Sequence, residues 1–444
     1  MTDMLSIGAS GVRAYQTALT TTSENIANAG TAGYSRRVTG VREVAAPSDP
    51  SNAVLNGLGV TISGVTRVAS DLRNAEVRAA GSDLARSEAG AVWLGRIEGA
   101  LTGNKLDERL TAFFNAATAL AADPSASAPR ATMLQAAATL ASGFAGTGAA
   151  FDAALADLDA SAETSVSQLN ALSTSLAKVN ASLGRTPQGT SAQAALLDER
   201  DRLLESMSAL TDLNVQLDQA GRATVKAGAG GPLLVQGDQA AVATYARGPE
   251  GGVSFAVFGI DGSHALTPAG GAIAGIADGA SRIADARAAI DAIAIAVADG
   301  VNAVQAGGED LNGNAGAPMF TATRAADFRL TLNDPAGIAA ATAGAGPRDN
   351  GNLAALSSLR AEGGFETRLT NLTTSNASAL AGRRAIAEVQ STIHANATAT
   401  RDSASGVNID EEAVDLIRFQ QAYQASSRVI QIARETLETI FNIR

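Results

Sequence analysis

The feature that most constrains this chain is the spacing of apolar residues in its last forty positions. Residues 413–444 contain neither Gly nor Pro. Apolar residues recur every seven positions, and a second set follows three positions after most of them: Ile409, Leu416, Tyr423, Ile430 and Leu437, with Phe419, Ser426, Ala433 and Ile440. Such a repeat is typical of a helix that lies along another helix. The sequence therefore predicts a long C-terminal helix with a helical partner.

Capping residues mark the start of this helix. Asn408 suits the N-cap position, and Glu411, three residues later, is the expected capping-box partner. The carboxylates of Asp410, Glu411 and Glu412 favour the positive end of the helix dipole. The flanks of the repeat are polar but carry a single charge: Gln420, Gln421, Gln424, Arg428 and Gln431. Because a solvated helix usually carries more Glu and Lys, this composition indicates a helix surrounded by other helices.

The first thirty residues carry a matching repeat. Four large aliphatic residues are spaced by seven, and smaller or polar residues follow three positions after each: Leu5, Val12, Leu19 and Ile26, with Gly8, Tyr15, Thr22 and Ala29. We therefore expect the two terminal helices to pair with each other. Residues 20–23 are three Thr and one Ser, which have poor helix propensity. The N-terminal helix is thus expected to need its partner.

Composition excludes several classes of partner. The 444-residue chain has a net charge of -11, which argues against nucleic acid or an anionic membrane as a partner. It has no cysteine, so neither a disulfide nor a thiolate metal site is possible. We expect no cleaved secretory signal, because no N-terminal basic region precedes an apolar run. We also expect no membrane span, because no apolar run reaches roughly 18 residues. Aromatic residues make up only 4% of the chain, which favours closely packed helices over a large aromatic core.

The periodicity divides the chain into helical and extended regions. Helices are predicted at about 65–101, 106–120, 129–183, 191–210 and 282–305, and again from 334 onward with breaks. Alternating apolar residues and Gly-rich turns predict a β insertion between the helices. The expected fold is α+β and mostly α: a long helical bundle or coiled coil formed by both halves of the chain, with a small inserted β-domain. The predicted divisions are a terminal coiled-coil domain (1–35 and 405–444), a helical rod domain (36–211 and 276–404, extended near 37–66) and the β-domain (212–275).

No set of residues has the spacing of a catalytic or metal site. The two histidines, His264 and His394, lie far apart and are expected in surface or structural roles. Residues 310–316 resemble a calcium loop, but the glycine comes one position late and the bidentate Glu is missing, so a turn is predicted. Asp198 and Asp201 are expected to be ion-paired at the surface. We therefore predict a non-enzyme without catalytic, cofactor-binding or metal-binding residues.

Two interpretations of the terminal repeats remain open at this point. An internal helix pair could simply bury its own seam, as in many helical proteins. The other interpretation is packing against several neighbours. Both repeats lie at the chain termini, which usually fray unless other parts of the structure hold them. The last helix also has apolar residues off the repeat: Val414, Ile417, Val429, Ile432 and Phe441. One partner cannot cover so wide a face, whereas a tube of helices can. The inter-subunit residues would then be Leu5, Val12, Leu19, Ile26, Leu416, Phe419, Tyr423, Ile430, Leu437 and Ile440.

Short motifs resemble one protein family. The segment 23–28 (Ser-Glu-Asn-Ile-Ala-Asn), followed by 33–36 (Gly-Tyr-Ser-Arg), is similar to the N-terminal signature of the axial proteins of the bacterial flagellum. The segments 405–412 (Ser-Gly-Val-Asn-Ile-Asp-Glu-Glu) and 416–425 (Leu-Ile-Arg-Phe-Gln-Gln-Ala-Tyr-Gln-Ala) resemble the hook-associated FlgK family more than rod or hook proteins. The motif positions are Asn25, Asn28, Gly33, Tyr34, Ser35, Arg36, Asn408, Asp410, Glu411, Glu412, Arg418, Gln420 and Gln421. Further segments that resemble this family are 196–203, 310–316 and 349–356.

The chain departs from the family pattern in two places. Ala32 stands where the family commonly has Pro. The stretch 319–332 is short where longer members carry an extra outer β-domain, so contacts made by that domain are not expected here.

The resemblance implies a structural subunit of the hook–filament junction. Such subunits self-assemble into a ring between the hook protein and the next hook-associated junction protein. The resemblance further implies export through the flagellar type III apparatus without a cleaved signal peptide, with an export chaperone on the C-terminal helix, and an extracellular location on the flagellum.

Two alternatives belong beside this expectation. The first is a hook or rod protein of the same superfamily, against which the long helical region 65–210 argues. The second is an enzyme, such as a wall hydrolase on an axial scaffold. That enzyme would need a catalytic acid in the β insertion, which offers Asp212, Asp218, Asp238, Glu250 and Asp261 at turns or strand edges.

Overall fold

The computed structural model describes residues 2–44, 59–248 and 251–442. In these ranges the helices are α1 (Thr2–Ala27), α2 (Asp71–Gly103), α3 (Leu106–Leu120), α4 (Ser127–Leu183), α5 (Ser191–Ser208), α6 (Gly271–Ala306), α7 (Gly351–Gly363), α8 (Phe365–Ser405) and α9 (Ile409–Phe441). The strands are β1 (Arg37–Glu43), β2 (Val60–Arg67), β3 (Leu213–Leu217), β4 (Ala223–Ala227), β5 (Leu233–Gln236), β6 (Gln239–Ala240), β7 (Val242–Arg247), β8 (Val253–Gly259), β9 (Gly262–Leu266), β10 (Gly308–Glu309), β11 (Phe320–Thr321), β12 (Arg329–Leu330) and β13 (Ala341–Thr342). The predicted α+β, mostly α fold is confirmed.

The centre of the molecule is a helical bundle to which both halves of the chain contribute. Helix α2, from the first half, packs along α8 and α6 from the second half. Helix α4 packs on α3, α5 and α6. Apolar side chains at these contacts are fully buried, among them Leu94 and Ile97 of α2, Leu140 of α4 and Ile290 of α6. The helical pairing is therefore long-range in sequence.

Phenylalanines form a connected cluster in this core. The ring centroids of Phe113 and Phe320 lie 5.7 Å apart, and those of Phe320 and Phe328 lie 4.9 Å apart. The cluster extends through Phe144, which stacks on Phe328, and through Phe114, which adjoins Phe113. The low aromatic content suggested no such core. The few aromatic residues are instead concentrated where α3, α4 and the segment after α6 meet, and this concentration increases their packing energy.

Two helices begin later than the periodicity predicted. Helix α2 begins at Asp71 rather than near 65, because Val65 belongs to β2, and the side chain of Ser70 caps the helix. Helix α7 begins at Gly351 rather than at 334. Residues 334–350 hold a short 3-10 turn (Pro335–Gly337), strand β13 and further turns, in which Gly344 and Gly346 adopt positive φ angles of 79° and 85°. These angles are incompatible with a right-handed helix.

Helix α6 begins earlier than predicted, at Gly271 instead of 282. Its glycines suggest a turn, but they allow a close approach to α2. A Cβ on Gly275 would lie 2.6 Å from Ala89 Cβ, and a Cβ on Gly279 would lie 2.4 Å from Trp93. Among the described helices, α6 is the one long and apolar enough by composition to cross a bilayer. Its large side chains, such as Ile283, are buried against neighbouring helices, which accounts for that composition.

The inserted strands form two antiparallel sheets that rest on α4. Their strand orders are β3-β4-β5-β6 and β7-β8-β9. The side-chain amide of Asn170 accepts from Ala243 N (2.7 Å) and donates to Ala243 O (2.9 Å). Asn180 makes the same pair of bonds with Ala223, both at 2.8 Å. Each of these two carboxamides on α4 therefore pairs with a strand backbone as a neighbouring strand would, and satisfies an N–H and a C=O that the adjacent strand leaves free.

A fully buried guanidinium holds the segment between α6 and α7. Arg130 of α4 is 1% exposed, and its Nε donates to Pro124 O at 2.6 Å. Its Nη1 faces the carbonyl oxygens of Pro335, Ala336 and Ile338 at 3.3, 3.2 and 2.7 Å. Among the described residues no carboxylate pairs with it, and burial lowers its pKa. Arg130 thus links α4 to a distant loop through backbone carbonyls.

Candidate functional site

The terminal helices α1 and α9 form an antiparallel pair. Gly8 lies against Ile430, whereas Asn25, near the C-terminal end of α1, bonds Glu412 at the start of α9. A Cβ on Gly8 would lie 2.7 Å from Ile430 Cγ1, so the glycine permits a close approach. Between these points the rings of Tyr15 and Phe419 lie 6.4 Å apart. The expected pairing of the two ends is therefore present.

The buried residues of α1 in this pair are small or polar. The predicted aliphatic set of α1 (Leu5, Val12, Leu19 and Ile26) is half-buried. The buried positions of α1 are instead Gly8, Gly11, Ala14, Ala18, Thr21, Thr22 and Asn25. These positions face α9 on one side and the β1–β2 hairpin on the other, where the Thr39 hydroxyl donates to Thr21 Oγ1 at 2.9 Å. A heptad pattern of large residues could not show this narrower, two-sided seam.

On α9 the predicted seam residues are incompletely covered. Leu416, Phe419, Tyr423, Ile430 and Leu437 are half-buried, while Ala433 is fully buried. Ile440 remains 51% exposed, and off the seam Val414, Ile417 and Ile432 are 66%, 54% and 49% exposed. One partner helix therefore leaves a broad apolar surface on α9, which we call the α9 surface (Val414, Ile417, Ile432 and Ile440).

Asn25 is the centre of a polar network where α1 ends. It is 1% exposed, and its Nδ2 donates to Arg37 O (2.8 Å) and to Glu412 Oε2 (3.0 Å). Its Oδ1 accepts from Tyr34 Oη and from Arg37 N, both at 2.9 Å. All four hydrogen-bonding positions of the amide are used. Asn25 thus joins α1, the Gly-Tyr-Ser-Arg loop, β1 and α9.

Glu412 carries the network into α9. This carboxylate is 1% exposed and accepts from Arg36 Nε at 2.6 Å. The hydrogen bond to Glu412 raises the pKa of Arg36, which also lies 3.5 Å from Asp415. The backbone of Arg36 donates to Ser405 O at 2.8 Å. Glu411, the expected capping-box partner, is instead exposed, and the Asn408 side chain caps the helix by accepting from Asp410 N.

A second arginine connects the network to α5 of the helical bundle. Arg37 Nη1 lies 3.0 Å from Glu24 and its Nη2 lies 3.5 Å from Asp198 on α5. Its guanidinium also stacks 4.8 Å from the ring centre of Tyr34. Burial raises the pKa of Tyr34 to about 12, with Arg37 opposing the shift. Sequence reasoning missed Arg37. The adjacent arginines at the start of β1 were a usable signal, because successive strand residues point to opposite faces.

The acidic residues of α5 are more buried than expected. Asp198 and Asp201 pair with the two Nη atoms of Arg67 at 3.1 and 2.6 Å, with side chains only 12% and 16% exposed. Arg200 is 2% exposed and bonds Asp201 and Gly221 O. The prediction of ion pairing was right, but their placement on the surface was wrong, because β2 and α2 cover this face of α5.

The remaining motif residues have local roles or face solvent. Asn28 Nδ2 donates to Glu24 O at 2.9 Å, and Gly33 has a φ of 77°. Ser35 is buried. Arg418 stacks on Phe419 at 4.8 Å and reaches Asp415 at 3.1 Å. Gln420 and Gln421 are exposed.

The residues that the sequence offered as candidates for chemistry lie in turns, at the surface or in local contacts. No group of three or more His, Asp or Glu side chains is placed to hold a metal ion within the described ranges. Asp310 Oδ1 accepts from Asn312 N and Asn314 N, both at 2.8 Å, which closes the predicted turn. His264 is exposed, and His394 lines a cavity of about 430 Å³ between the Gly-Tyr-Ser-Arg loop, α2, α5 and α8.

The candidate acids of the β insertion are dispersed or engaged. Asp212 Oδ1 accepts from Ala269 N at 3.0 Å and caps the approach to α6. Asp218 pairs with Arg222, and Asp238 and Asp261 are exposed. Glu250 lies outside the described residues. The enzyme alternative has no support in this geometry.

Two family models match the sequence. The model "Flagellar basal body rod FlgEFG protein C-terminal" matches residues 400–443, which places α9 in the class of flagellar axial proteins. The model "Flagellar hook-associated protein FlgK helical domain" matches residues 94–320, just over half of the chain. The chain belongs to the FlgK family of flagellar hook-associated proteins.

Individual relatives of the chain are also flagellar hook-associated proteins. The chain is 24% identical to flagellar hook-associated protein 1 of Escherichia coli over 100% of both chains. It is 24% identical to that of Bacillus subtilis over 97% of this chain and 96% of the relative. The Salmonella typhimurium protein is 27% identical over 72% of this chain and 60% of its own length. The solved hook junction protein FlgK from Burkholderia pseudomallei has 22% identity and a TM-score of 0.49, covering 56% of this chain and 46% of that structure.

Proposed function

We propose that this protein is a structural subunit of the hook–filament junction of the bacterial flagellum and that it assembles with copies of itself through α1 and α9. Family membership and the names of the relatives support this role. The match to the FlgK helical domain over 94–320 favours a junction protein over a rod or hook protein, since the rod match is confined to 400–443.

The observation that carries the proposal is the α9 surface. Its four aliphatic residues are about half-exposed or more although α9 already has a helical partner. Full burial of an aliphatic side chain is worth about 1.5–3 kcal/mol, so covering the remaining exposed half contributes about 1 kcal/mol for each residue. The four residues of the α9 surface together contribute about 4 kcal/mol per copy to contacts with neighbours.

The domain division follows from this role. We infer that 1–35 and 405–444 form the inner tube, that 36–211 and 276–404 form the rod around it, and that 212–275 is an outward β-domain. The neighbours along the axis are the hook protein and the next hook-associated junction protein. Before assembly, an export chaperone covers α9, the chain leaves through the type III apparatus without a cleaved signal, and the assembled protein is extracellular.

The test replaces one residue of the α9 surface. Ile432→Asp places a carboxylate where a neighbour would bury it, so we expect the purified protein to keep its melting temperature but to be lost from isolated flagella. Gln431→Asp, next to it on the polar flank, is the matched control and should assemble normally. Incorporation of Ile432→Asp at the wild-type level would refute the proposal. Phe419→Asp is less suitable, because Phe419 also packs on Tyr15 within one chain.

A further inference from the structure

The second half of α8 carries an apolar row that no described part of the chain covers. Ile386, Val389 and Ile393 are 50%, 61% and 52% exposed. Their spacing of three and four residues places them on one face of the helix. We call these three residues the α8 stripe. Single exposed aliphatic residues are common, whereas a contiguous apolar row marks a contact surface.

The α8 stripe continues at the same spacing as an exposed seam. Gly382 precedes it by four positions, and Asn396 and Thr400 follow it, all three exposed. A Cβ on Gly382 would have nothing within 4 Å, so the glycine leaves a recess in this face. Alternating steps of three and four are those of a coiled-coil seam, in which a polar Asn can set the register. The seam therefore fits a helix as its occupant.

The surroundings of the stripe are poor in carboxylates. From 382 to 400, the charged residues are Arg383, Arg384 and Glu388, although the whole chain has a net charge of -11. Copies of so acidic a chain repel each other wherever their carboxylates meet. A helical face without carboxylates is thus suited to contact with another copy.

The stripe lies on the helix that leads into the terminal helix pair, with its last residue, Ile393, twelve positions before the end of α8. Helix α8 ends at Ser405 and α9 begins at Ile409, so the two helices follow each other closely. The hydrogen bond from Arg36 N to Ser405 O fixes the end of α8 to the motif loop. The α8 stripe and the α9 surface therefore lie on consecutive helices of the chain.

We infer that the α8 stripe packs against a helix of a second copy of this chain. This contact lies in the helical rod domain and is separate from the α9 surface. This inference rests on the proposed function. It adds a second self-contact, which would fix the rotation of each copy about its own long axis.

A photo-cross-linker can test this contact in the assembled protein. p-Benzoylphenylalanine would replace Val389 in one strain and Ile432 in another, and isolated flagella would be irradiated. We expect a product of twice the 44.5 kDa chain mass from position 389, with mass spectrometry identifying a helix of the same chain as the second half.

The other outcomes each decide the question. A product with a different protein, or no product from 389 when 432 yields the doubled mass, would overturn this inference and leave the proposed function intact. A chain that is absent from isolated flagella would overturn the proposed function itself.

A matched pair of charge variants gives an independent readout. Val389→Asp should leave the melting temperature unchanged, since the side chain is exposed, but reduce the amount in isolated flagella by about tenfold or more. Ala395→Asp adds the same charge on the far side of the same exposed helix and should change neither quantity. Equal incorporation of the two variants would contradict the contact.

Discussion

Replacement of Asn25 should release the terminal helices α1 and α9 from the central helical bundle. Asn25→Ala removes four hydrogen bonds, which connect the amide to Arg37, Tyr34 and Glu412. Each bond contributes about 1 kcal/mol net, and each buried group left without a partner costs about 1–3 kcal/mol. Because these contributions are not additive within one network, we expect a total loss on the order of 4 kcal/mol.

The loss should be local. The core of the helical bundle around α2, α4 and α6 has its own buried apolar side chains, and Asn25 is not among them. Opening of α1 and α9 without global unfolding is therefore the expected response. Native-state hydrogen exchange with mass spectrometry measures it directly: amides of α1 and α9 should exchange at least about a hundredfold faster, since 1.4 kcal/mol is a factor of ten. Amides of α4 should not change.

A conservative variant separates the hydrogen bonds from side-chain volume. Asn25→Asp keeps the size and the oxygen that faces Tyr34 and Arg37, but it places a second carboxylate 3.0 Å from Glu412 Oε2. Two carboxylates so close cannot both be ionised, so one must bind a proton. Exchange should be fast at neutral pH and slow again as the pH falls toward about 5. Unchanged protection of α1 and α9 in both variants would refute the assignment of Asn25 as the centre of the network.

Three further predictions concern packing, buried charge and pH. Gly8→Ala puts a Cβ 2.7 Å from a side-chain carbon of α9 and should destabilise the terminal helix pair by about 1–3 kcal/mol, as measured by hydrogen exchange. The control Gly99→Ala has free space around it and should raise the melting temperature, because Ala favours a helix over Gly by about 1 kcal/mol. Equal effects of the two variants would contradict the close approach of Gly8 to α9. Arg130→Met should lower the free energy of unfolding by about 3 kcal/mol in urea, because several buried carbonyl oxygens lose their donor, and a loss well below about 1 kcal/mol would be inconsistent with that linking role. Burial raises the pKa of both Tyr34 and Tyr245 from 10.0 to about 12. Since the tyrosines of the unfolded chain ionise at lower pH, the free energy of unfolding should be unchanged below pH 10 and should fall as the pH rises toward about 12. Urea titrations at each pH measure this decline. The double variant Tyr34→Phe, Tyr245→Phe should make it smaller.

Local patterns in the sequence were sufficient for much of the architecture. The seven-residue repeats predicted that the two chain ends form helices and pair, because periodicity is a property of each segment alone. The cap at Asn408 and the bounds of α3 at Leu106 and Leu120 followed from local residue preferences. The change to alternating residues after 212 predicted the inserted strands for the same reason. These features need no knowledge of what each segment packs against.

The tertiary structure alone decided which polar groups are buried and which apolar groups are not. Asn25 and Glu412 stand 387 positions apart, and their bond exists only because α1 and α9 run antiparallel. Arg130 gives no sequence signal of its burial, which depends on a loop some 200 positions away. The exposure of Ile432 and Val389 likewise depends on how many neighbours each helix finds within one chain. Burial depends on all the groups that pack around a residue in three dimensions. A pattern along the sequence can therefore mark a helix face as apolar, but it cannot say whether this chain or a second copy covers that face.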